Sequence, residues 1–166
     1  MAHPRRRVRQ FVTHLTAHVD PVEEQAARTL LPPAGVALFA GMPVADRRHA
    51  LDVLRHLQRA GVTDADLLTA ALLHDAAKSH RLRLWHRISV VLLEAVAPGR
   101  LAALGADDDP KSWRYPFHLQ LNHAELSALA ATQSGCGPRV AAFIRGTAVG
   151  PDAQLAAALQ AADAAS

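Results

Sequence analysis

Residues 67–73 read Leu-Leu-Thr-Ala-Ala-Leu-Leu and then stop at His74 and Asp75. A helix over this run is apolar on nearly every side, so it has no face to offer water and belongs in the middle of a domain. The rest of the chain must wrap around it. Only 4% of the 166 residues are aromatic whereas 35 are alanine, a balance that favours helices and withholds the β-branched and aromatic residues that sheets use. No stretch alternates with a period of two. The expectation is an all-α, single-domain multi-helix bundle, because a chain of this length leaves little room for a second independent core.

The remaining helices follow from spacing and punctuation. Val8, Phe11, Val12 and Leu15 lay an apolar stripe on a first helix that opens with Arg5, Arg6, Arg7 and Arg9, read as a solvated helix start. Asp20, Pro21 and Glu23 look like the N-cap, first-position proline and reciprocal acid of a second helix running toward Leu30, with Pro32 and Pro33 as its punctuation. Met42-Pro43 opens a turn, and a helix from about Ala45 carries Ala50, Leu51, Leu54 and Leu57 inward until Gly61. Thr63 with Asp66 predicts the cap of the buried helix. Further helices are expected over Trp85 to Ala97, ended by Pro98 and Gly99, then about His118 to Gln133, Pro138 to Arg145 and Asp152 to Ala164. The loop Asp107-Asp108-Asp109-Pro110 leads into an aromatic cluster of Trp113, Tyr115 and Phe117.

A net charge of +3 is too small to imply a nucleic-acid partner. The single Cys136 excludes an internal disulfide and a cysteine-rich zinc site, and agrees with a reducing compartment. The longest apolar run, Ile88 to Leu93, is far short of a membrane span, and the N-terminus lacks a secretory apolar core. A cytoplasmic protein without a membrane partner is expected; oligomeric state stays open.

The informative residues are the polar ones on inward faces, where ionisable groups need partners or a metal to offset lost hydration. His74 continues the line Leu67, Ala71, and Asp75 the line Leu68, Ala71, Leu72. Asp163 falls one turn after Leu159 on the stripe that the last helix must bury, so it is expected to face inward. His49 lies at the edge of its helix's apolar face, with Asp46 one turn earlier and available to orient the imidazole. Two imidazoles and two carboxylates form a nitrogen and oxygen donor set suited to Mn, Fe, Co, Ni, Zn or Mg.

A lone histidine, a His-Asp doublet 25 residues later on a buried helix, and a distant aspartate 88 residues beyond the doublet resemble the pattern of the HD-domain metal-dependent phosphohydrolases. The segments RRHALDVLRHL and LLTAALLHDAAKS are similar to small bacterial members, and the resemblance covers about Asp46 to the C-terminus. It implies a helical extension over 1–44 packed on an HD domain over 45–166. It also implies a divalent metal held by His49, His74, Asp75 and Asp163, with His123 in NHAELSALAA matching a later histidine of the two-metal branch. Two departures stand beside it. Phe143-Ile144-Arg145-Gly146-Thr147 contains no imidazole where that branch has one, and Lys78 replaces the acid found in members resembling nucleoside monophosphate phosphatases.

The function implied is hydrolysis of a phosphomonoester or nucleotide-type phosphate ester by a metal-activated water. Asp75 is the expected proton acceptor, and Lys78 the group that steadies developing negative charge. Arg47 and Arg48 are expected to reach a small phosphorylated, nucleotide-like substrate. Two other classes remain: a catalytically degenerate domain that binds metal or nucleotide as a sensor, and an interaction module whose polar residues are merely satisfied in the core.

Overall fold

The computed structural model describes residues 18–78, 86, 89, 90, 92, 93 and 96–166. They form one compact all-helical domain: α1 (Pro21–Arg28), α2 (Pro33–Ala40), α3 (Val44–Arg59), α4 (Ala65–Leu73), α5 (Pro98–Gly105), α6 (Tyr115–Gln133), α7 (Pro138–Arg145) and α8 (Asp152–Ala165). No strand occurs among the described residues. The expected first helix around Val8 to Leu15 lies outside the described residues. Of the helix expected over Trp85 to Ala97, residues 86, 89, 90, 92, 93 and 96 are described and are helical.

The all-apolar run is at the centre. Every residue of α4 from Leu67 to Leu73 is buried, and the helix packs against α2, α3, α6, α7 and α8. Each fully buried leucine contributes about 1.5–3 kcal/mol, so a short helix is held by its surroundings and not by its own propensity. Its cap is Asp64, whose carboxylate accepts from the Leu67 N–H at 3.0 Å, one residue later than the Thr63 expected. An aspartate with extended backbone reaches that amide directly.

Other boundaries differ where proline was read as a stop. Pro33 and Pro98 each occupy the first turn of a helix, α2 and α5, where a missing N–H costs nothing and the fixed φ is already helical. The second expected helix ends earlier, at Arg28. The aromatic segment belongs partly to α6, which starts three residues before His118. Within it Trp113 meets Phe117 edge-on at 6.3 Å, while Tyr115 stacks on His118 at 5.9 Å. A small second cluster of Val90, Leu101 and Phe117 seals this end of the domain.

α1 packs on α3, and α2 on α4 and α6. The α1 to α3 seam is ionic. Glu24 receives Arg47 and Arg28, each at 2.7 Å, and Glu23 receives both Arg48, at 2.7 and 3.0 Å, and Arg55. Hydrogen bonding to Arg48 holds the Glu23 carboxyl below its usual range, against the effect of its partial burial.

Candidate metal centre

Three helices deliver the site. α3 brings His49, the end of α4 brings His74 and Asp75, and α8 brings Asp163, since α8 packs on both α3 and α4. One donor atom each from His49, His74 and Asp163 lies within 4.8 Å of the other two. The His49 Nε2 is 2.8 Å from Asp163 Oδ1. The His74 Nε2 is 3.5 Å from the same oxygen and 3.6 Å from Asp75 Oδ2, and the two imidazole rings meet edge-on with centroids 5.4 Å apart.

α4 ends at Leu73, and the doublet sits in the turn that follows. His74 Nδ1–H donates to the Ala71 carbonyl at 2.9 Å, which fixes the ring and aims Nε2 at the carboxylates. Nevertheless, His74 Nε2 and Asp75 Oδ1 are buried without a hydrogen-bond partner among the described residues. Orphaned buried polar atoms are rare and call for a reason. Donors about 2.1 Å from an ion stand about 3.0–3.4 Å apart, so these separations and the mixed nitrogen and oxygen chemistry fit a small divalent cation.

Electrostatics point the same way. Burial would raise the Asp75 carboxyl, but the charges of His74, Lys78 and His49 hold it well below the usual carboxylate range. Asp163 is likewise held far down, against burial, by its contacts with His49 and His74. Burial pulls the His74 imidazole down, yet Asp75 and Asp163 leave it above its ordinary value. Both carboxylates are thus ionised at neutral pH, Asp75 in a desolvated place and Asp163 at its rim.

Asp163 does not face inward as the stripe suggested. Its side chain is 48% exposed, because α8 buries Ala156, Leu159 and Ala162, and a step of about 100° beyond Ala162 puts Asp163 at the rim. From there its carboxylate closes over His49 and His74. Asp46 is buried one turn before His49.

Lys78 Nζ donates to Asp75 Oδ2 at 2.7 Å, so the cation neighbours the doublet as its spacing implied. His123, on α6, stands outside the three-residue donor set, as does Asp75. Its Nδ1–H donates to the Gln120 carbonyl at 2.8 Å. Burial and Lys78 lower its pKa, which keeps it a neutral imidazole with a lone pair at Nε2. The guanidiniums of Arg47 and Arg48, expected to reach substrate, are bonded to Glu24, Glu23 and Asp52. Helix α1 supplies Glu23 and Glu24, partners that no pattern within α3 announces.

One polar residue of this region went unread in the sequence. Ser127 is fully buried on α6, and its hydroxyl accepts from the Ala77 N–H at 3.0 Å. A lone serine on a face of Ala128 and Ala131 was the available signal.

No protein-family model, curated protein or solved structure matches this chain.

Proposed function

We propose that this protein is a metal-dependent phosphohydrolase with an HD-type helical domain, acting on a phosphomonoester or nucleotide-type phosphate ester. The observation that carries the reading is the pair of orphaned buried atoms, His74 Nε2 and Asp75 Oδ1: His74 shares a donor set with His49 and Asp163, and Asp75 stands beside it, its Oδ2 3.6 Å from His74 Nε2. His49, His74, Asp75 and Asp163 would hold the ion. A divalent cation bound there would lower the pKa of an attacking water and polarise a phosphoryl oxygen. Asp75, ionised and buried, would take the proton of a water made acidic in this way, that acidity offsetting the low basicity its cationic neighbours impose. Lys78 brings a point charge to the phosphoryl oxygens as negative charge develops. His123 presents a neutral nitrogen from the facing helix. A small phosphorylated, nucleotide-like substrate and a cytoplasmic setting accompany this reading.

The ion pair between Lys78 and Asp75 favours one second reading, a degenerate domain that binds a metal or nucleotide without turnover. Metal analysis of the purified protein, followed by phosphomonoester and phosphodiester substrates with added Mn, Co, Ni, Fe or Mg, separates the two. Hydrolysis that disappears in Asp75→Ala supports the enzyme. Stoichiometric metal without hydrolysis of any substrate supports the sensor, and a protein that takes up no divalent ion refutes the enzyme and the metal sensor alike.

A further inference from the structure

Where α4 stops, its backbone hydrogen bonds change pattern. The Ala76 N–H bonds to the Leu73 carbonyl at 3.1 Å and the Lys78 N–H to the Asp75 carbonyl at 2.9 Å, both tighter three-residue closures. Between them, the Ala77 N–H leaves the chain's own carbonyls and crosses 50 residues of sequence to the Ser127 hydroxyl. That hydroxyl has no exposure to water. An amide there that lost Ser127 would be driven back to a carbonyl one turn earlier, because a buried N–H without an acceptor costs heavily. Rewinding would then rotate the residues on either side of it. Those residues include His74, Asp75 and Lys78.

We propose that Ser127 is a positioning residue that terminates α4 at Leu73 and thereby sets His74, Asp75 and Lys78 in their converging arrangement. Its place on α6, one turn after His123, makes the same helix hold the turn and present the facing imidazole. The role in metal binding rests on the phosphohydrolase reading, whereas the role in shaping residues 74–78 does not.

The test uses the full chain with Ser127→Ala, Ser127→Cys as a near-isosteric weaker acceptor, and Thr69→Ala as control. Thr69 is a buried hydroxyl on α4 itself, bonded to the Leu30 carbonyl at 2.9 Å, and lies outside the site. In metal-free protein, Ser127→Ala should move the backbone carbon shifts of residues 74–78 toward regular helix and speed exchange of the Ala77 amide; Thr69→Ala should do neither. Co²⁺ titration should show affinity weakened about 10-fold or more in Ser127→Ala, with Ser127→Cys between it and the native protein. Should Ser127→Ala fail to fold, Ser127→Cys carries the same comparison. Unchanged shifts at 74–78, or equal changes in Thr69→Ala, overturn the proposal. If the native protein binds no Co²⁺ while the shifts move as stated, the phosphohydrolase reading fails and Ser127 keeps its role in the turn.

Discussion

The imidazole of His49 and the carboxylate of Asp163, 114 residues apart in the chain, meet at 2.8 Å. That contact joins α3 to α8 and closes the cluster on its solvent side. The half-exposed Asp163 contributes little apolar burial, so its value to the molecule lies in the charge it places over His49 and His74.

Replacing Asp163 with asparagine keeps the shape and removes the charge. Groups that only orient a metal's ligands typically cost 10–100-fold in affinity when lost, and a lost ligand should cost at least about 100-fold by the same scale. Calorimetric titration with Mn²⁺ or Co²⁺ measures this. Metal-free stability should change far less, since the carboxylate sits at the surface; an affinity equal to the native protein's would remove Asp163 from the ligand set.

Lys78→Gln separates charge from hydrogen bonding at the Asp75 carboxylate. With metal and a phosphomonoester supplied, the loss of a cation aimed at developing charge should lower kcat about 100-fold, with KM changed much less. A rise in KM alone would assign Lys78 to ground-state binding.

Some of this arrangement was legible in the sequence and some was not. α3 declared itself through Ala50, Leu51, Leu54 and Leu57, all of which are buried, and α4 through a run with no polar face. By contrast, α2 is Pro-Ala-Gly-Val-Ala-Leu-Phe-Ala, too short and too uniformly apolar to show a period, and it stands behind two prolines that look like breaks. α5 hid behind Pro98 and Gly99 for the same reason. The convergence of His49, His74 and Asp163 followed from a family-like pattern in which each residue alone is unremarkable. Of the pairings of Arg47 and Arg48, only the i,i+4 contact of Arg48 with Asp52 had such a trace: Glu24 and Glu23 lie 23 to 25 residues away on α1, and only the way two helices face each other decides that pairing.

Arg139 ties three segments together. Its guanidinium bonds Asp64 at 2.9 and 2.8 Å, Asp66 at 3.1 Å and Asp152 at 2.8 Å on both oxygens, linking the start of α4, α7 and the start of α8. Hydrogen bonding to Arg139 lowers the Asp64 carboxyl below its ordinary value of 3.8. A depressed carboxylate contributes its stability fully above the unfolded value and loses it as pH falls through the folded one. Arg139→Met should therefore lower the melting midpoint at pH 7, and the gap to the native protein should narrow below about pH 4. Melting curves from pH 7 down to pH 2 check the trend; a gap independent of pH would mean that packing of Arg139 on Phe143, 4.9 Å from the ring centre, carries the effect.

Leu72 tests whether α4 is the centre of the domain. It is fully buried in a helix flanked by five others, so truncation leaves a cavity that the neighbours cannot collapse into without moving several helices at once. Leu72→Ala should cost about 2–5 kcal/mol, against a change within about 0.5 kcal/mol for Val149→Ala, which is 80% exposed. Because His74 and Asp75 follow directly in the chain, the cavity also loosens the base on which the doublet stands. Urea unfolding should show a lower midpoint at unchanged slope, and added Co²⁺ should restore part of the loss by binding the folded state alone. A cost below about 1 kcal/mol would show that α4 is packed more loosely than its burial implies.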